Sequence, residues 1–173
     1  MKRCELKSVK YFAEGSQETN CYVADFFVDG KKFCAVQNEG CGGSDMQIPY
    51  APFTHQDVLD LNNWCKENLP KKTWSYDPPQ KDLTISTDIE LICGDLLMDN
   101  LLRKDFKRSM KSKILFLEIN DDTNESELFI SGYRGVRKIE TRHIERFKAN
   151  HPNAILLRDM NEEEAFDIFK QAS

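Results

Sequence analysis

The segment NEGCGGSDMQIPY, residues 38–50, holds three kinds of residue that could do chemistry. Gly40, Gly42 and Gly43 could turn backbone N–H groups toward an anion, Cys41 could act as a nucleophile, and Ser44 and Asp45 present short polar side chains. An anion cradle needs consecutive N–H groups converging on the ligand, usually where a helix begins. Here the G-x-x-x-x-G-K-[ST] order and its lysine are missing, and MQIPY does not open a helix. A chain leaving a strand through positive φ angles needs glycines just as much. We therefore expect the glycines to turn the chain, with Ser44 and Asp45 as the loop's partner-binding candidates. A thiol-dependent enzyme centred on Cys41 is an alternative; it requires a base, and His55 is the nearest histidine along the chain.

Other reactive side chains are dispersed. The six cysteines stand at 4, 21, 34, 41, 65 and 93, and the two nearest, Cys34 and Cys41, are seven positions apart. A structural zinc site uses shorter spacings, and His55, His143 and His151 are equally scattered, so no metal and no cofactor is expected. Carboxylates run together at Glu162–Glu164, where a helix start favours them, and at Asp121–Asp122 in a polar loop.

Charge is distributed unevenly. The net charge is −5, yet residues 103–113 carry six basic side chains against one acidic, and residues 134–148 six against two. The rest of the chain therefore carries −14. Read plainly, the first stretch is the solvated end of a helix, where basic residues complement the dipole. Read functionally, Lys107, Arg108 and Arg137 become candidate contacts to an anionic partner such as a nucleic-acid backbone. No sequence-specific nucleic-acid motif accompanies them.

The elements that must position these residues follow from local pattern. CYVADFFV and KKFCAVQN flank Asp29-Gly30, a dipeptide suited to a two-residue hairpin turn. That register would pair Val28 with Lys31, Cys21 with Asn38 and Asp25 with Cys34, leaving Cys21 and Cys34 roughly 13 Å apart, beyond disulfide reach. KSVKYFA is the expected third strand of the meander. A helix should start at Thr54 with Asp57 completing a capping box, place Val58, Leu61, Trp64 and Cys65 on its apolar side, and stop at Pro70. Residues 70–82, with two consecutive prolines, form the expected loop or point of subdivision in an otherwise single domain of 173 residues. Thr87 or Asp88 should cap a long central helix bearing Ile89, Ile92, Cys93, Leu96, Leu97 and Leu101 on its apolar side. KILFLEI and ELFISGY read as a second hairpin around NDDTNES, GVRKI as a further strand, AILL as a short strand. Helices should follow Thr141 and Asn161. Lacking regular strand–helix alternation, this order predicts an α+β fold: an N-terminal antiparallel β-meander, a long helix, a second small antiparallel hairpin and C-terminal helices.

Hydrophobic residues make up 40% and charged residues 31%, enough apolar material for a core. No run approaches the roughly 18 apolar residues of a membrane span, and MKRCELKSVK lacks the apolar stretch of a signal peptide. The expectation is a cytoplasmic protein with reduced thiols, no membrane partner, and a monomeric or small homo-oligomeric state.

SQETNCYVADFFVDGKKFCAVQNEGCGGSD, ELICGDLLMDNLLRKDFKR and HPNAILLRDMNEEEAFDIFK together resemble the small accessory proteins of phages and bacterial mobile elements. The resemblance implies no particular activity and no residue role. It implies a compact, non-catalytic interaction protein acting on host machinery in a bacterial cytoplasm, counter-defence inhibition included.

Overall fold

In the computed structural model, which describes residues 3–75, 81–119, 126–133 and 135–172, the Asp29-Gly30 turn takes the positive φ angles that its residues favour, 49° and 78°. It joins β2 (Tyr22–Val28) to β3 (Lys31–Asn38); β1 (Cys4–Tyr11) and β4 (Met46–Pro49) complete an antiparallel sheet in the order β1-β2-β3-β4. The fold is α+β, as the sequence predicts. Two compact units divide the chain, Met1–Asn100 and Leu101–Ser173.

In the first unit the hairpin register departs from the expectation. Val28 does pair with Lys31, but the ladder slips after Phe27–Lys32, so that Phe26 meets Cys34, Asp25 meets Ala35 and Tyr22 meets Asn38. Phe33 is the extra residue. A bulge lets two successive side chains face the same way, and Phe33 and Cys34 are both buried. Leu6, Tyr22, Ala24, Phe26 and Val36 supply the rest of the sheet's buried face. Cys21 lies before β2, and all six cysteines are free thiols. β4 has no counterpart among the expected strands, because four residues ending in proline carry little pattern.

Helix α1 (His55–Asn68) has the predicted capping box: the Thr54 side chain accepts from the Asp57 N–H while Asp57 accepts from the Thr54 N–H. Val58, Leu61 and Cys65 form its buried stripe, whereas Trp64, expected on the same side, stays half-buried at its edge. Residues 70–82 contribute to a small hairpin, β5 (Lys72–Trp74) with β6 (Leu83–Ile85); residues 76–80 lie outside the described segments. Asp88 caps the long helix α2 (Ile89–Ser112), accepting from the Leu91 N–H at 3.0 Å, and Ile89, Cys93 and Leu97 are fully buried.

The second unit is built on β7 (Ile114–Ile119), which lies between β8 (Ser126–Ser131) and β9 (Ile155–Leu156). GVRKI is not a strand; its place is taken by the short strand expected at AILL. Side chains on β7 alternate between two cores. Leu115 packs with Phe106, Leu157, Ala165, Phe166 and Phe169, whereas Ile114 and Phe116 pack with Ile139, Phe147 and Leu156. One core is covered by the end of α2 and by α4 (Glu162–Gln171), the other by α3 (Thr141–Asn150). A strand buried on both faces reads as a continuous apolar run, as residues 114–117, ILFL, do before Glu118. The loop NDDTNES falls almost wholly outside the described residues. Arg158 closes the open end of α2, its guanidinium donating to the Met110 and Lys113 carbonyls at 3.0 and 3.2 Å.

Candidate functional site

The glycine loop is organised around Asn38, the last residue of β3. Its side-chain oxygen accepts from the Thr19 hydroxyl at 2.7 Å and the Gly40 N–H at 2.8 Å, while its amide donates to the Gly43 carbonyl at 3.1 Å and to Asp45 at 3.0 Å. The Gly42 N–H donates to Thr19 Oγ1 at 3.3 Å. Two loop N–H groups that an anion cradle would need are thus turned inward. The Gly40 carbonyl accepts from the N–H groups of Gln17, Glu18 and Thr19, locking the β1–β2 connection against the loop.

Of the two candidate contacts, Ser44 is exposed, whereas Asp45 is half-buried and accepts from the hydroxyl of the buried Tyr22 as well as from Asn38. Burial, reinforced by the Asp45 hydrogen bond, pushes the Tyr22 phenol well above its ordinary range. Both residues line a cavity of about 410 Å³ with His55, Leu59 and Asn62 of α1 and with Asp88 and Glu90. Asn62 spans this site by accepting from the Ile89 N–H at 2.9 Å. Burial raises the Glu90 carboxyl above its usual value and the neighbouring Asp45 charge raises it further, against the opposing hydrogen bond from Ser44.

A second concavity, of about 460 Å³, lies on the other flank of α1, where Asp57, Asp60 and Trp64 face the end of the β2–β3 hairpin at Asp29, Lys31 and Phe33. Six carboxylates therefore surround two hollows on one helix. Residues 1–100 carry 16 acidic and 10 basic side chains, a net of −6; residues 101–173 carry 13 and 14. Neither hollow is legible in the sequence. The spacing of Asp57, Asp60 and Trp64 on one flank was a visible signal, but Asp29, Asp88 and Glu90 arrive from distant parts of the chain.

The basic candidates stand differently. Lys107 pairs with Glu162 at 3.1 Å and Arg108 with Asp105 at 3.0 Å, and Arg103 forms a two-pronged pair with Glu163 while lying over the Phe166 ring. The basic stretch of α2 and the acidic start of α4 thus answer each other. Arg137 is exposed on the segment between β8 and α3 and, among the described residues, shares no ion pair or carboxylate partner with Lys107 or Arg108. Cys41 is exposed, and the polar contact of its thiol among the described residues is the Glu39 carbonyl at 3.8 Å, not His55. Among the described residues no three His, Cys, Asp or Glu side chains gather closely enough to hold a metal ion, and no helix is long and apolar enough to cross a membrane. Comparison with family models, curated proteins and solved structures yields no match.

Proposed function

We propose that the chain is a non-catalytic interaction protein whose residues 1–100 engage a basic partner protein, in the manner of a phage or mobile-element accessory factor acting on bacterial host machinery. One observation carries this reading: the six carboxylates Asp29, Asp45, Asp57, Asp60, Asp88 and Glu90 surround two hollows on the flanks of α1. Complementary charge of this kind steers encounter and rejects partners of like sign. A nucleic-acid backbone is the poorer occupant, because the acidic surface repels it and Lys107 and Arg108 already hold carboxylates.

Cross-linked capture from host lysate tests the reading, comparing the wild-type chain with Asp29→Asn/Asp60→Asn/Glu90→Gln. The wild type should retain a small set of basic proteins that elute as salt rises, and the triple variant should lose them. Identical capture by both would refute the reading, as would a turnover activity abolished by a point substitution.

A further inference from the structure

We infer that the 460 Å³ hollow between the β2–β3 turn and α1 is a slot for one arginine side chain of the basic partner. The inference rests on the reading above and specifies its chemistry. The floor is aromatic: Phe33, made inward-facing by the bulge, packs against Phe53 with ring centroids 4.8 Å apart, and Trp64 lines the same hollow, half-buried. The rim is acidic. Asp29 Oδ1 accepts from the Arg3 N–H at 2.8 Å and Asp60 Oδ1 from Gln56 at 2.8 Å, while the second oxygen of each takes no donor among the described residues. Asp57 is engaged by Thr54 in the helix cap, but its charge outweighs the positive end of α1 at that point. Among the described residues Lys31 is the basic side chain on the rim, which leaves a balance of −2 for them.

An aromatic floor beneath spare carboxylate oxygens selects its occupant. An anionic side chain is repelled, and a purely apolar one would desolvate carboxylates without pairing them. A guanidinium is planar and weakly hydrated; it stacks on aromatic rings while its edge donates to separate oxygens. Lysine brings a compact, strongly hydrated charge that does one of these things less well.

The test titrates the 15N-labelled full chain with N-acetyl-arginine N-methylamide and follows both tryptophan indole resonances. Trp64 should shift saturably while Trp74 stays in place. The citrulline isostere, uncharged but of the same shape, should bind at least about fivefold more weakly, and the lysine analogue about threefold. Asp60→Asn should weaken the arginine probe about threefold with other resonances unmoved. Trp64→Phe, which keeps an aromatic ring but loses the indole reporter, serves as the second variant; read from the backbone amide resonances of Asp29 and Asp60, it should bind more weakly while retaining its fold. No shift of Trp64, equal binding of citrulline, or an unaffected Asp60→Asn variant would overturn the slot. These outcomes do not involve lysate capture, so a failed slot and a failed partner reading remain distinguishable.

Discussion

Replacing Gly40 by alanine puts a Cβ 2.1 Å from the Gly15 carbonyl oxygen and 2.8 Å from the Cys21 Cβ, at a backbone φ of +84°. The left-handed conformation alone costs a side chain about 1 kcal/mol. The contact adds more, because the obstructing oxygen belongs to the backbone and cannot swing aside. Relief requires the loop to withdraw from the β1–β2 connection, where the Gly40 carbonyl holds the N–H groups of Gln17 and Glu18 at 2.9 Å and Thr19 at 3.3 Å. Loss of two such bonds costs about 1 kcal/mol each, for a total near 3 kcal/mol. Gly43 provides the control: its φ is +95°, but an added Cβ meets nothing within 4 Å, so Gly43→Ala should cost only about 1 kcal/mol. Urea denaturation of both variants, compared at a common m value, measures the difference. If Gly40→Ala lowers stability no more than Gly43→Ala does, the interlock described here does not hold the loop.

Asp45→Ala leaves the Tyr22 hydroxyl without its acceptor and the Asn38 amide with the Gly43 carbonyl alone, and should cost about 1–3 kcal/mol; Tyr22→Phe should then cost less in that background than in the wild type, and additive urea-derived losses would contradict the link. The Glu90 carboxyl titrates above its ordinary value of 4.5 in the folded chain, so the folded state binds its proton more tightly and stability from this group falls as pH rises through 4.5 toward the folded pKa. Glu90→Gln should therefore melt higher than the wild type at pH 7, with an advantage that shrinks on acidification; a difference independent of pH would refute this. In a native thiol titration Cys41 should react first, whereas Cys34, pushed up to about 12 by burial, and Cys93, raised likewise, should react only on unfolding. Rapid native modification of either buried thiol would count against the packing.

Local signals in the sequence determined the turn at Asp29-Gly30, the cap at Thr54, the start of α2 after Asp88 and the Asn161 cap of α4, because each depends on a few neighbouring residues. They also yielded the fold class, since the apolar periodicities of the helices and strands survive whatever the tertiary arrangement. The bulge at Phe33 was not legible, because a slip of one residue is decided by what the sheet and α1 must bury together. Nor was the role of Asp45: a polar residue beside glycines reads as exposed until Tyr22, 23 positions away, supplies a buried hydroxyl. The same holds for charge. Composition revealed the polarity of the chain, but only folding sets Lys107 and Arg103 against α4 and gathers Asp29, Asp57 and Asp60 around one hollow, since these contacts join residues whose separation along the chain carries no periodic trace.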